Sequence, residues 1–228
     1  MITIEKLNLS YGKKKRVIES LDLTISENTI NGIVGLNGTG KTTLLNAIYG
    51  LKIVESGEIQ WNGEKVTKKM ISYLVTEPFF YSNITGNEYL GLFKNINFDT
   101  NRWNELFHLP LDQIIDEYST GMKKKLAILS VLKQDKPIFI LDEPFNGLDI
   151  ETCRIIRTVL LGLKRKNKTI IITSHIIETL TNLCDFIHYL EGGKILFTKE
   201  KNEFKEFEEE LFQNLENKNV NLITELLG

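Results

Sequence analysis

The chain has 228 residues, 42% of them apolar and 25% charged, the balance of a globular protein with room for one large domain or two small ones. A formal net charge of −2 argues against nucleic-acid binding through bulk electrostatics, though not against a local basic patch, and no apolar run approaches the ~18 residues of a membrane-spanning helix. The two cysteines, Cys153 and Cys184, lack zinc-site or disulfide spacing and are expected as buried or half-buried thiols in a reducing compartment.

The start of the chain is polar and alternating, unlike a secretory leader. Residues 2–9 and 17–25 alternate with period two and predict antiparallel strands in a small sheet of their own. The basic run Lys13–Arg16 between them predicts a solvated hairpin tip, with a phosphate or lipid contact as the other reading. Residues 29–34 predict a strand that ends at Gly35, and helical spacing follows from Lys41. Residues 57–63 and 70–75 predict further strands.

Residues 84–134 differ in character. Thr85 and Glu88 form a capping box before an apolar run, and the patterns at 99–108 and 119–133 are helical, so this stretch predicts a helical insert. The β/α alternation resumes with a continuously apolar strand at 137–141. A helix at 151–166, a strand at 169–173 and a helix at 176–183 follow. Two strands at 185–197 flank Gly192 and Gly193, a good two-residue turn. The tail, 200–228, predicts surface amphipathic helices.

The strongest chemical signal is Gly35-Leu36-Asn37-Gly38-Thr39-Gly40-Lys41-Thr42, a glycine-rich loop between a buried strand and a helix. Phosphates need many N–H donors converging on a small volume. Only such a loop curls that tightly, and the helix it opens aims its positive end at the anion. Lys41 can reach the terminal phosphates, and the Thr42 hydroxyl can ligate Mg²⁺. An acidic pair, Asp142 and Glu143, follows four apolar residues that deliver it to the carboxyl edge of the sheet. Asp142 can hold Mg²⁺, and Glu143 can accept a proton from an attacking water. His175 follows the strand at 169–173 and can touch the γ-phosphate or orient the water. His108 and His188 are expected to be capping or core residues.

Taken in order, these residues resemble the ATP-binding cassette family, specifically the nucleotide-binding subunit of an ABC transporter. The resemblance covers nearly the whole chain. Tyr11 stands where the family stacks an aromatic ring on adenine. The loop 35–42, with Thr43 behind it, is followed by the helical insert. Then comes a signature segment, Tyr118-Ser119-Thr120-Gly121-Met122, and after Asp142 and Glu143 comes Gly147-Leu148-Asp149, similar to the family's D-loop. Tyr-Ser-x-Gly-Met followed by Lys123-Lys124-Lys125-Leu126 is similar to the branch that exports bacitracin-like and lantibiotic peptides. Two positions depart from the pattern. The signature has Thr120 and Met122 where the family has glycine and glutamine. The Q-loop has Thr76, or Glu77 if the register slips by one, in place of glutamine.

The resemblance implies an α/β P-loop NTPase fold (RecA-like), with a mostly parallel core sheet, an N-terminal antiparallel β subdomain and an inserted helical subdomain. Residues 1–83 and 135–199 would form the core and 84–134 the helical subdomain. It implies ATP and Mg²⁺ as ligands, with Thr42, Asp142 and Thr76 at the metal and Lys41, Glu143 and His175 in hydrolysis. Ser119 and Gly121 would contact the nucleotide of a facing subunit, with Asp149 at the same interface. The partners implied are a second nucleotide-binding subunit and an integral membrane permease, placing the chain at the cytoplasmic face of the cell membrane; no nucleic-acid partner is implied. Phe79, Phe80 and Tyr81, directly after the Q-loop, form either a docking surface for the permease or part of the core.

Three rivals are weighed against a transporter ATPase. A soluble ABC-type ATPase usually carries two cassettes or a long coiled-coil insert, whereas 78 positions without sustained heptads separate Lys41 from Ser119. A nucleotide-gated interaction module is favoured by the altered signature and Q-loop and opposed by Glu143 and His175. A P-loop kinase would need a lid and an acceptor site, and neither is evident.

Overall fold

A computed structural model describes residues 1–11, 15–207 and the isolated positions 209, 220, 224 and 226; for Tyr11 and Lys15 only the main chain is described. Of the expected basic tip, Lys13–Arg16, the side chains of Lys13, Lys14 and Lys15 lie outside the described residues, as do nearly all of the expected tail helices beyond 207, while Arg16 is exposed and pairs with Glu19 at 3.0 Å.

Two sheets make up the frame. The first is antiparallel: β1 (Ile2–Tyr11) pairs with β2 (Lys15–Ile25) and β4 (Ser56–Trp61), and β4 pairs with the short β5 (Glu64–Lys65). The second contains β3 (Ile30–Val34), β6 (Ile71–Leu74), β7 (Ile138–Leu141), β8 (Thr169–Ser174), β9 (Phe186–Glu191) and β10 (Lys194–Glu200). Its order is β10-β9-β3-β8-β7-β6, and every pairing is parallel except that of the edge strand β10. The β9–β10 turn places Gly192 and Gly193 at φ 55° and 78°, the left-handed pair that a tight hairpin requires.

Both faces of the parallel sheet are covered, which is why β7 is apolar at every position and β3, β7 and β8 are buried throughout rather than alternating. On β7, Ile138 and Ile140 face one core while Phe139 and Leu141 face the other. The first core lies between the two sheets and contains Leu44, Leu45, Ala47 and Ile48 of α1 (Lys41–Tyr49). The second is covered by α4 (Thr120–Gln134), α5 (Ile150–Arg165) and α6 (Ile177–Thr181). Each fully buried Ile or Leu in these layers contributes about 1.5–3 kcal/mol of transfer free energy.

The stretch 84–134 supplies α2 (Gly86–Gly91), α3 (Thr100–Asn104) and α4. Its Tyr89, Leu90, Phe107 and Leu126 share a buried cluster with the sheet residues Leu74 and Phe139. The capping box is present: Thr85 Oγ1 accepts from the Glu88 N–H, and Glu88 accepts from the Thr85 N–H. The helix expected over 99–108 is shorter than its pattern. The Asn104 side chain accepts from the Leu109 N–H and donates to the Leu109 carbonyl, His108 turns to φ 51°, and Pro110 follows. These bonds give the backbone an alternative to the helix. The beginning of the tail docks through Phe207, whose ring meets Phe197 edge-on at 5.1 Å.

Candidate nucleotide and hydrolysis site

Parallel strands all end at the same edge, so whatever follows β3, β6, β7 and β8 is gathered there. Gly35 follows β3, Thr76 lies just past β6, Asp142 and Glu143 follow β7, and His175 follows β8. Pairing of β3 with β8, β8 with β7 and β7 with β6 sets these segments side by side. They line a cavity of about 660 Å³ that includes Asn37, Gly38, Gly40, Lys41, Thr42, Thr43, Thr76, Asp142, Glu143 and His175.

The loop depends on its glycines. A Cβ on Gly35 would press into the Leu190 carbonyl oxygen, and Gly40 sits at φ 107°. Gly40 occupies the N-cap of α1 without any side-chain cap, so the first N–H groups of that helix remain available for an anion. Lys41 folds back over the loop and donates to the carbonyls of Gly35 (2.7 Å) and Leu36 (3.2 Å). Burial pulls its pKa below the ordinary lysine value, an effect that Glu143 and Asp142 oppose. Thr39 turns its hydroxyl onto the Leu36 carbonyl and does not line the cavity.

Asp142 is fully buried, and three hydroxyls surround it. Thr42 Oγ1 and Thr76 Oγ1 each donate to Oδ2 at 2.7 Å, and Thr173 Oγ1 donates to Oδ1 at 2.5 Å. Thr173 Oγ1 also accepts from the Glu143 N–H at 3.0 Å. Glu143 points its carboxylate at His175, with Oε2 3.0 Å from Nδ1. Hard oxygen donors around one carboxylate suit Mg²⁺, which keeps several waters and takes its remaining ligands from substrate phosphates. Among the described residues no group of three or more His, Cys, Asp or Glu side chains could hold a metal by itself.

The remaining expected residues lie elsewhere. Ser119 is the N-cap of α4 and accepts from the Met122 N–H, and Asp149 is the N-cap of α5 and accepts from the N–H and hydroxyl of Thr152. Those bonds hold the Asp149 pKa down at about 2. The two caps form one region, because a Cβ on Gly121 would lie 3.5 Å from the Gly147 carbonyl oxygen and Lys125 Nζ lies 3.6 Å from Asp149 Oδ2. None of Ser119, Gly121 and Asp149 lines the cavity. The Tyr11 side chain lies outside the described residues. Phe79 and Tyr81 are exposed and meet edge-to-face at 5.3 Å, while Phe80 turns inward against Tyr89 at 4.9 Å. Thr76 lines the cavity; Glu77 is exposed.

Three residues of this edge have no signal in the motifs. Val17 and Asn146 line the cavity, and Thr173 orients both acidic residues. Thr173 is legible only as a buried polar position near the end of β8. His188 is a core residue as expected: its ring nitrogens contact Thr198 Oγ1 (2.8 Å) and Asn31 Oδ1 (3.2 Å). Burial lowers its pKa to about 4.

Residues 18–146 match the family model described as ABC transporter. The chain is 31% identical to a lantibiotic transport ATP-binding protein, SrtF, of Streptococcus pyogenes, over 94% of this chain and 96% of that protein. It is 32% identical to the bacitracin transport ATP-binding protein BcrA of Bacillus licheniformis, over 86% of this chain and 68% of that protein. Its fold superposes on a solved ATP binding subunit of an ABC transporter with a TM-score of 0.85, at 24% identity over 94% of this chain and 99% of that one.

Proposed function

This chain belongs to the ABC transporter family as an ATP-binding, ATP-hydrolysing component, and from that premise we propose that it closes with a second such subunit around ATP to drive export of a peptide or drug-like substrate through a separate membrane permease. The observation that carries the dimer is the separation of Ser119 and Gly121 from the cavity. They sit at the opening of α4, where N–H groups can meet the γ-phosphate held by a facing subunit. The names of the lantibiotic and bacitracin relatives support the substrate class. Among the described residues no helix is long and apolar enough to cross a membrane; the transporter-named relatives support a permease partner and a peripheral place at the cytoplasmic face. Phe79 and Tyr81 would receive that permease. They follow the Thr76 segment, so pressure on them reaches the cavity, and residues 84–134 would act as the moving arm.

In this reading the loop N–H groups and Lys41 hold the phosphates, and Lys41 leaves the carbonyls of Gly35 and Leu36 for the γ-phosphate. Thr42, Asp142 and Thr76 would hold Mg²⁺, which when bound neutralises charge on the phosphate oxygens. Glu143 accepts a proton from the water that attacks the γ-phosphorus, giving ADP and phosphate. His175 fixes the Glu143 carboxylate through their 3.0 Å contact.

The test is Glu143→Gln with MgATP, followed by sedimentation. The variant is expected to bind ATP, lose nearly all turnover and sediment as a dimer, and adding Ser119→Arg should return it to monomer. A monomer at every ATP concentration, together with a wild-type rate per subunit unaffected by dilution, would sink the proposal.

A further inference from the structure

Of the three consecutive lysines on α4, Lys123 and Lys125 are half-buried but Lys124 is buried, 6% exposed. The mechanism above gives it no task. Removing an ammonium from water costs several kcal/mol unless it is well compensated. Among the described residues Lys124 has one hydrogen bond, a long one, from Nζ to the Thr76 carbonyl at 3.3 Å. Among the described residues it forms no ion pair within 4.0 Å. Burial lowers its pKa, and the fields of Asp142 and Glu143 act against that. The Nζ therefore lies within electrostatic reach of the two carboxylates and is anchored at the Thr76 carbonyl rather than on either of them. Packing alone would be served as well by methionine.

We infer that Lys124 is a positioning residue for ATP hydrolysis, tying the helix that opens at Ser119 to the main chain at Thr76, whose hydroxyl bonds to Asp142. The path is continuous. Lys124 Nζ donates to the Thr76 carbonyl, Thr76 Oγ1 donates to Asp142 Oδ2, and Thr42 Oγ1 donates to the same oxygen. A shift of α4 thus moves the Thr76 hydroxyl relative to Asp142. A preorganised charge acts on the chemical step without touching substrate. The inference rests on the reading of Asp142 and Glu143 as the metal-binding and hydrolytic carboxylates.

Lys124→Met keeps the volume and removes the charge. Replacing a buried charge by an apolar residue is often neutral or stabilising, so the variant is expected to unfold at the same temperature as wild type or higher. Its kcat for MgATP should fall about tenfold or more while KM stays within about threefold, because the phosphate loop is untouched. A stable Lys124→Met with wild-type kcat overturns the inference. So does a kcat loss accompanied by a matching loss of stability, which would assign Lys124 to the fold alone. Should Lys124→Met fail to fold, Lys124→Gln takes its place in the comparison, and failure of both likewise assigns Lys124 to the fold and overturns the inference. Glu143→Gln in the same assay separates the two readings. Normal turnover there removes the site reading and this inference with it, whereas an inactive Glu143→Gln beside a fully active Lys124→Met removes the inference alone.

Discussion

His175 Nδ1 lies 3.0 Å from Glu143 Oε2, while the Glu143 main chain is held in the left-handed region at φ 49°. A non-glycine residue in that conformation costs about 1–3 kcal/mol and persists only where its surroundings fix it. Here the Thr173 hydroxyl receives the Glu143 N–H and His175 meets its carboxylate. The strain aims the carboxylate into the cavity.

His175→Ala removes one of these two restraints. Turnover should fall about 100-fold, at the lower end of what a lost acid–base alignment costs, with ATP affinity nearly unchanged. Steady-state kinetics beside an equilibrium nucleotide titration checks this, and unaltered kcat would separate His175 from hydrolysis.

Lys41→Ala should weaken ATP binding by about tenfold to a hundredfold, the loss of a charge-assisted contact. The thermal unfolding midpoint without nucleotide should hold, since the Lys41 ammonium bonds, among the described residues, to carbonyls of its own loop. Calorimetric titration measures the first effect and a thermal scan the second; equal ATP affinity would count against the loop as the phosphate site.

Gly35→Ala and Gly38→Ala should differ in kind. At Gly35 the added Cβ runs into the Leu190 carbonyl oxygen, backbone that cannot step aside cheaply, whereas at Gly38 (φ 82°) it meets nothing within 4 Å. Gly38→Ala should cost about 1–2 kcal/mol, the penalty of the left-handed conformation. Gly35→Ala carries an overpacking cost of about 1–3 kcal/mol or more, because two β-strand ends must separate. Denaturant unfolding of both should show Gly35→Ala as the less stable, and the opposite order would refute the steric account.

His188 sets a pH dependence. Its folded pKa is about 4 against an ordinary 6.5. Above pH 6.5 both folded and unfolded states carry it neutral, and it exacts no penalty. Between 6.5 and 4 the unfolded state takes a proton that the folded state refuses, so stability falls with falling pH by up to about 1.4 kcal/mol per unit. Below about 4 the loss is complete and constant. His188→Gln, which can still bond to Asn31 and Thr198, should show a shallower decline between pH 7 and 5 in denaturant titrations. Parallel curves for the two proteins would refute it.

The phosphate loop, the acidic pair and the β/α order are legible in the sequence because each is contiguous. A glycine-rich loop between an apolar run and a helical pattern carries its own chemistry, and four apolar residues before Asp142 fix the strand that delivers it. The signature turn is legible as a helix start, since Ser119 caps the helix it opens. The helix at 99–108 is shorter than its periodicity predicts, because the side-chain bonds between Asn104 and Leu109 are invisible to periodicity.

Sequence alone thus settles which residues reach the carboxyl edge of the sheet and in what chain order. Only the tertiary structure decides what they meet there. It brings Thr42, Thr76 and Thr173 onto one buried carboxylate, turns Phe80 inward and Phe79 outward, keeps Ser119 apart from the cavity and buries Lys124 between α4 and Thr76. The reason is that parallel pairing joins strand ends far apart in the chain, and the burial of a lysine or the partner of a hydroxyl depends on that pairing rather than on its neighbours in sequence.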